Sequence, residues 1–268
     1  MSLLSAALLL VRALPFEPAI VITRLLVITY LLFRPDYRRE IEVNYKLLFN
    51  RRDRFFWLRN AWTVGRNIAL MAKIGTKLGA KLIDRATVYQ ENMNDECVRR
   101  ENDSGSLMVS FHFGLWEFLP QLYRNYGNDV AVVTGVMKDK MLSRTLVRLR
   151  SGSGVRIISD IKSLRKRLGQ SGITGFMLDN TSRGKMTDVV VKSLRIRLPA
   201  MAFVLSRRTG TGVVPVFSYL KHGRLTVRVF PEQDAAGCAR LLLEMVREMP
   251  TEWIFWGKSG AVISNLSN

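Results

Sequence analysis

Residues 110–117 read Ser-Phe-His-Phe-Gly-Leu-Trp-Glu, and the interpretation of the fold starts from this stretch. The apolar segment before it predicts a β-strand over residues 107–110, and the segment after it predicts a helix over residues 116–126. On a regular helix, a spacing of five residues would separate the His112 and Glu117 side chains by about 140° around the axis. The two side chains can therefore meet only if His112 lies at or before the helix start, with Gly114 easing the turn. The stretch predicts a strand–loop–helix junction.

The pair of His112 and Glu117 suggests acid–base chemistry. An imidazole can remove a proton from a hydroxyl near neutral pH, and a carboxylate can orient the imidazole and stabilise its charged form. The alternative is a structural histidine in the core, followed by a buried glutamate. The chain has only two histidines, and the other, His222, falls in a predicted exposed hairpin turn. A carboxylate among large apolar side chains is also costly to bury without a partner. Both observations favour a functional pair.

The rest of the chain beyond residue 105 alternates between short apolar segments and helical segments. This alternation predicts an α/β fold with a mostly parallel central sheet covered by helices. The segment 34–85 has a basic, helical pattern. Strands are predicted over residues 107–110, 129–135, 155–158 and 173–178, helices over 116–126, 138–150 and 160–168, then a hairpin of 213–219 and 225–230 and a helix over 235–248.

Composition indicates a protein that associates with membranes. The chain of 268 residues is 48% hydrophobic although 24% of its residues are charged, and its mean hydropathy is +0.06. Two apolar runs, 3–11 and 20–33, are separated by a Pro-containing segment, and neither reaches the roughly 20 residues of a spanning helix. We predict an N-terminal membrane anchor over residues 1–33, interfacial or re-entrant, and one domain over residues 34–268. A single tilted span and a buried helical hairpin remain alternatives. The basic residues at 34–39 favour the cytoplasmic side.

The net charge of +19 favours anionic partners. Its cations are spread over many segments and no nucleic-acid-binding motif is present, so nucleic acid is not the expected partner. Cys97 and Cys238 lie far apart, which predicts neither a disulfide framework nor a metal site and fits a reducing compartment. Two distant histidines add too few ligands for a metal enzyme.

Several segments carry a resemblance to a known family. The stretch 111–117 resembles the His-x4-Asp/Glu motif of lysophospholipid acyltransferase-like enzymes, and its Phe-Gly and Trp-Glu pairs resemble the lipid A biosynthesis (lauroyl/myristoyl) acyltransferase branch. Residues 148–158 resemble that family's basic helix, which ends in an arginine before a glycine and a strand. Residues 175–180 resemble its strand ending in Asp-Gln, with Asn180 in place of glutamine. Residues 205–217 resemble its Arg-Arg-Thr-Gly turn and Val-Val-Pro-Val-Phe strand, whereas residues 193–199 and the C-terminal segment after 250 depart from it.

The resemblance implies a glycerolipid acyltransferase-like fold and transfer of a fatty acyl chain to a hydroxyl of a glycolipid or lysolipid. The donor would be a thioester of acyl carrier protein or coenzyme A, used as a co-substrate without any further cofactor or metal. The reaction would take place on anionic membrane lipid at the cytoplasmic face of a bacterial inner membrane. A non-catalytic lipid-binding or scaffold protein of the same fold, and a nucleic-acid-binding protein, remain alternatives. The implied site residues are His112 as base, Glu117 as its orienting carboxylate, and Arg150, Arg148, Asp179 and Asn180 as substrate-binding groups.

Overall fold

The computed structural model describes residues 3–91, 105–135, 140–152, 154–168, 170–179, 184–257 and 262–265. Its N-terminal part is helical, as predicted. The first break falls at Pro15, which cannot continue a helix interior. The third helix starts with Pro35 in its first turn and ends at Asn50, whose φ of 52° is left-handed. The helices are α1 (Leu3–Ala13), α2 (Phe16–Leu32), α3 (Pro35–Phe49), α4 (Phe56–Met71) and α5 (Lys77–Asp84).

The strands form a large sheet that is mostly parallel and a smaller antiparallel one. The strands are β1 (Thr87–Gln90), β2 (Ser106–Ser110), β3 (Val130–Val133), β4 (Arg156–Ile158), β5 (Ile173–Met177), β6 (Met186–Val191), β7 (Leu194–Pro199), β8 (Val213–Lys221), β9 (Arg224–Val229) and β10 (Ile263–Asn265). Among the described residues, the large sheet has the order β1-β9-β8-β2-β5-β3-β4. β8 and β9 pair antiparallel, and the other neighbours in this order pair parallel. The predicted α/β class and mostly parallel sheet are confirmed.

Helices flank the large sheet, and their positions follow the predicted pattern with one difference. The predicted helix over 116–126 is a 3-10 turn that continues into a short α-helix. The predicted start of the basic helix at residue 138 lies outside the described residues. Asp160 caps the next helix by accepting a hydrogen bond from the Ser163 amide at 2.8 Å. The elements are the 3-10 helix Trp116–Phe118, α6 (Leu119–Asn125), α7 (Lys140–Ser151), α8 (Ile161–Leu168), α9 (Met201–Thr209) and α10 (Ala235–Glu248).

The smaller sheet was not predicted from the sequence. It has the order β10-β7-β6 in the part of the chain that the structure describes. β6 and β7 pair antiparallel from Met186 opposite Pro199 to Val191 opposite Leu194. Every second residue of β7 is buried, which is the alternation expected of a strand with one covered face.

The core lies on both faces of the large sheet. Phe111 and Phe217 stack with ring centroids 5.2 Å apart, and Phe113 meets Phe217 edge-on at 5.5 Å. All three rings are fully buried. A second apolar cluster, which includes Leu122 of α6 and Val227 of β9, covers the other face. Burial of both faces explains why the parallel strands are short continuous apolar runs.

The segment predicted to be the anchor forms α1 and α2, and α2 packs closely on α4. A Cβ at Gly65 of α4 would come within 2.6 Å of the Arg24 Cα, so only glycine permits this approach. Ala19 and Thr23 are buried at the same interface, whereas an apolar group on α2 is exposed, including Leu25 and Leu26. No single helix of the described residues is long and apolar enough to cross a bilayer. α2 and α3 pass that criterion only as a pair, and the pair bends by 95°.

The end of α1 is attached to the end of α4 by two buried or half-buried cations. Lys73 donates to the carbonyl oxygens of Val11 and Arg12, both at 2.9 Å. Arg12 donates in return to the Ala72 carbonyl at 2.9 Å. Each cation thereby satisfies carbonyl groups at the C-terminus of the other helix, where the helix dipole favours positive charge. The first helix is therefore bonded to the rest of the structure.

Candidate active site

His112 lies in the turn between β2 and the 3-10 helix, as the strand–loop–helix prediction requires. The turn passes directly over β8, because the Leu115 amide donates to the Ser218 carbonyl at 2.9 Å. Gly114 has a φ of 59°, and a Cβ there would lie 2.0 Å from that same carbonyl oxygen. Glycine is therefore required at this position both for its backbone conformation and for the close approach. The turn places the His112 ring at the carboxyl end of the parallel strands, where open α/β sheets bind ligands.

Asp179 supplies the carboxylate that contacts the His112 ring. It follows β5, which pairs with β2, so the two residues emerge at the same edge of the sheet. The Asp179 Oδ1 lies 2.7 Å from His112 Nδ1, and Oδ2 accepts hydrogen bonds from the His112 amide at 2.8 Å and the Trp253 indole at 3.0 Å. The Asp179 side chain is 0% exposed and that of His112 is 20% exposed. A carboxylate on Nδ1 places the proton on that nitrogen, which leaves Nε2 of the neutral ring as a base.

Glu117 is bonded to Arg150 rather than to the imidazole. Arg150 of α7 donates from Nε to Glu117 Oε2 at 2.9 Å and from Nη2 to Oε1, and the Trp116 indole donates to Oε1 at 3.3 Å. Burial by itself raises the pKa of Glu117, but the Arg150 charge and hydrogen bonds, with a smaller contribution from His112, outweigh it and lower the pKa. Burial in turn lowers the pKa of Arg150, and Glu117 more than compensates. The ion pair therefore stays charged beside the histidine.

The structure brings together most of the predicted site residues, with two changes of partner. The position predicted for Glu117, at the imidazole, belongs to Asp179. Asp179, predicted to bind substrate, is fully buried and contacts the His112 ring. Arg150 does lie at the site, but its guanidinium is held by Glu117. Arg148 is exposed on the same helix, and Asn180 lies outside the described residues.

Two aromatic residues of the segment that follows α10, called the C-terminal loop from here on, were not predicted as site residues. Phe255 lies beside the His112 ring with centroids 4.5 Å apart, and Trp253 reaches Asp179 from the same loop. The loop is joined to the histidine turn by the Ile254 amide, which donates to the His112 carbonyl at 3.1 Å. The density of aromatic residues between 253 and 256 is the sequence signal that could have drawn attention to this loop.

An apolar cavity of about 60 Å³ lies close to the histidine turn, between the sheet and α6. Its lining includes Trp116 from the 3-10 helix, Tyr123 from α6 and Gly175 from β5. The buried Tyr123 hydroxyl has no hydrogen-bond partner among the described residues. One water molecule needs about 10–15 Å³ of a cavity volume measured in this way, so a cavity of about 60 Å³ holds a few groups of methylene size. Its walls suit a short length of hydrocarbon.

The geometry supports one kind of chemistry. A buried carboxylate, an oriented imidazole and a neighbouring charged pair can deprotonate a hydroxyl and stabilise the resulting imidazolium. Within the described residues, no group of three His, Cys, Asp or Glu side chains could hold a metal ion.

Comparison with individual curated proteins finds no significant match. A family model, however, matches residues 1–255, almost the whole chain. The chain belongs to the bacterial lipid A biosynthesis acyltransferase family, and it is therefore an acyltransferase that acts on a lipid substrate.

Proposed function

We propose that the protein transfers a fatty acyl chain from a thioester donor to a hydroxyl group of a lipid A-like glycolipid or a lysolipid. The observation that carries this proposal is the 2.7 Å contact between Asp179 and His112 Nδ1, which prepares Nε2 to accept a proton. His112 removes the proton of the acceptor hydroxyl while its oxygen attacks the thioester carbonyl. The new C–O bond forms, the C–S bond breaks, and the leaving thiolate takes the proton from the imidazolium. The products are an ester and a free thiol, with no acyl-enzyme intermediate.

The charged groups next to His112 have separate roles in this proposal. Asp179 orients the ring and stabilises its protonated form. Glu117 adds a second negative charge near the imidazole and holds Arg150 in place. Arg150 has further N–H groups beyond those that bind Glu117, and we assign these to polar or anionic groups of the substrate. Arg148 and Asn180 keep the same proposed role on the basis of family resemblance.

The donor is a thioester of acyl carrier protein or of coenzyme A. Both are anionic. Exposed cations lie on α7, the helix that carries Arg150, and on α8, among them Arg144, Arg148 and Lys162. Exposed charges act mainly on the rate of encounter and are screened by salt. Parallel kinetics with lauroyl-acyl carrier protein and lauroyl-coenzyme A distinguish the two donors. The true donor has the higher kcat/KM, and its kcat/KM falls as ionic strength rises.

We also propose that the protein binds the cytoplasmic face of a bacterial inner membrane through α1 and α2. The supporting observation is a set of large apolar side chains that stay exposed on these helices and the following turn, namely Leu9, Leu10, Val21, Leu25, Leu26, Leu32 and Phe33. Arg34, Arg38 and Arg39 follow directly and suit anionic headgroups. Because the opposite face of α2 packs on α4, the proposed binding attaches the folded domain to the surface of the membrane.

The experiment for the function is acyl transfer by the purified full chain. Lauroyl thioesters are mixed with a lipid A precursor in detergent micelles, and the lipid product is identified by mass spectrometry. A gain of mass equal to one acyl group minus one hydrogen, with release of one thiol per ester, supports the proposal. Binding of the lipids without any acyl transfer from either thioester would support the non-catalytic alternative.

A further inference from the structure

Trp253 of the C-terminal loop contacts Asp179, the carboxylate that is bonded to the His112 ring. Its indole ring is fully buried, and its Nε1–H group donates to Asp179 Oδ2 at 3.0 Å. The same oxygen accepts the His112 amide at 2.8 Å. With Oδ2 held by two donors, the plane of the carboxylate is set, and Oδ1 is left to face the imidazole Nδ1. The indole thus helps to fix the orientation in which the carboxylate meets the ring.

We propose that Trp253 is a positioning residue of the reaction, acting through Asp179 on the His112 imidazole. Its N–H group holds the carboxylate in the orientation that keeps Nδ1 protonated and Nε2 basic. It also takes up part of the carboxylate's negative charge and so moderates the stabilisation of the imidazolium. The catalytic consequence rests on the proposed acyl transfer, whereas the effect on His112 does not.

The loop that carries Trp253 is bonded to α4 by buried polar groups. The Glu252 carboxylate accepts hydrogen bonds from the Arg66 guanidinium and the Asn67 side-chain amide, both at 2.7 Å. The Asn60 side-chain amide donates to the Trp253 carbonyl at 2.9 Å. Asn60, Asn67 and Glu252 are buried, so these bonds are sheltered from water and are costly to break. They hold the indole at the carboxylate. This explains why a surface helix carries two asparagines on its inner side.

The chain offers a matched control for this proposal. Trp256 lies three residues further in the same loop, is equally buried, and donates its Nε1–H to the Pro250 carbonyl at 2.7 Å. Trp253→Phe and Trp256→Phe therefore each remove one indole N–H and reduce the size of one buried ring. They differ in that the first removes a bond to Asp179 and the second a bond to the backbone.

The test uses the two histidines of the chain as reporters. The imidazole C–H signals of His112 and His222 are titrated by NMR in the wild-type protein and in both variants, without any substrate. Among the described residues, Asp179 contacts the His112 ring and Glu117, paired with Arg150, acts on it electrostatically, and neither substitution removes these groups. Loss of the donor makes Asp179 a stronger acceptor, so the titration midpoint of His112 should rise by about half a pH unit in Trp253→Phe. It should stay unchanged in Trp256→Phe, and His222 in its exposed turn should stay unchanged in both.

A folded Trp253→Phe protein with an unchanged or lowered His112 midpoint would overturn the proposal, as would an equal rise in Trp256→Phe. If Trp253→Phe does not fold, the wild-type protein still gives a decision. The Trp253 indole N–H signal is assigned by replacing the other four tryptophans one at a time. Its chemical shift must change with pH at the same midpoint as the His112 signal, and a chemical shift that stays constant through that midpoint overturns the proposal.

Kinetics separate this proposal from the proposed function. If the wild-type chain transfers acyl groups, Trp253→Phe should lower kcat with little change in KM. It should also shift the acidic limb of the plot of kcat against pH to higher pH, by the same amount as the NMR midpoint. If kcat is unaffected although the midpoint moves, Trp253 is not a positioning residue for the reaction. If the wild-type chain transfers no acyl groups, the proposed function fails and the NMR result stands independently.

Discussion

Replacing Asp179 by asparagine tests the assignment of the orienting carboxylate. The Oδ2 position accepts two hydrogen bonds, from the His112 amide at 2.8 Å and the Trp253 indole at 3.0 Å. The amide oxygen of the asparagine must take this position, because an amide NH2 group there would face two donors. Its NH2 group then faces His112 Nδ1 and donates to it. The ring is held in the tautomer whose Nε2 carries the proton, and this tautomer cannot act as a base.

The expected loss follows from the contribution of general-base catalysis, typically about 10²- to 10⁴-fold. That corresponds to about 2.7–5.4 kcal/mol of activation free energy. The loss should appear in kcat, because the Asp179 side chain is 0% exposed and acts through its contact with the His112 ring. The assay is steady-state acyl transfer with a lauroyl thioester, and the control is Asp188→Asn, which removes an exposed carboxylate that pairs with Arg197. A kcat within about threefold of the wild-type value, or an effect confined to KM, would refute the assignment.

Three further variants test the cavity, the ion pair and the exposed apolar face. Gly175 lines the cavity, and a Cβ added there would meet its nearest neighbour at an ordinary 3.7 Å, so Gly175→Val fills the cavity without a clash at Cβ. In a series of acyl chain lengths, this variant should reduce kcat/KM for the longest accepted chain by about tenfold for each methylene that is excluded. Arg150→Met leaves Glu117 buried without its cation and should lower the free energy of unfolding in urea by about 3 kcal/mol at pH 7. Because the folded pKa of Glu117 is lowered, the pair stabilises the fold above the unfolded pKa of about 4.5, and this stabilisation should fade in the wild-type protein as pH falls below it. Replacing Leu25 and Leu26 together by serine should shift the protein out of the floating fraction with phosphatidylglycerol vesicles, without changing its melting temperature.

Each of these substitutions has a matched control. Gly135→Val, at an exposed position where an added Cβ would meet nothing within 4 Å, should leave the chain-length profile unchanged. Arg148→Met changes an exposed cation of the same helix and should alter stability by less than about 0.5 kcal/mol. Val190→Ser removes an exposed apolar side chain on β6 and should leave flotation unaltered. An equal effect in the control would show that the structural reason given for the test substitution is wrong.

The architecture could be predicted well where the residues of one helix or strand are sufficient to identify that element. β2, β3 and β5 are short apolar runs because both faces of a parallel sheet are covered, and the helices between them have clear boundaries such as Asp160. β6 and β7 were missed because charged residues interrupt the apolar positions of β7, which hides the strand when only apolar runs are sought. The alternation itself was the available signal.

The partner of His112 could not be derived from the motif alone. The His-x4-Glu spacing suggests a contact between neighbours in the chain, but the 3-10 turn directs Glu117 towards α7 and its Arg150. Asp179 lies 67 residues from His112 and meets it because β5 pairs with β2. The order of strands in a sheet depends on packing among distant segments, which the spacing of residues within one segment does not report. The resemblance named Asp179 as a substrate-binding residue and did not indicate its contact with the His112 ring.

The N-terminal helices show a similar limit. Their apolar runs and the break at Pro15 could be predicted, since both are local properties. The contact of Gly65 with Arg24 depends on how α2 crosses α4, and it turns one side of the predicted anchor into part of the folded structure. Deletion of residues 1–33 would therefore expose buried surface as well as remove the exposed apolar face. This is why surface substitutions are the better test of membrane binding.

The proposed base is tested most simply by acyl transfer with His112→Ala, measured by mass spectrometry of the lipid product from purified protein, a lauroyl thioester and a lipid A precursor. The proposed mechanism predicts that the wild-type chain forms the acylated lipid and that the variant forms it at least about 10²-fold more slowly. The variant should still fold and should float with anionic vesicles as the wild-type protein does. Transfer at the wild-type rate by a folded His112→Ala protein would contradict the assignment of this imidazole as the base.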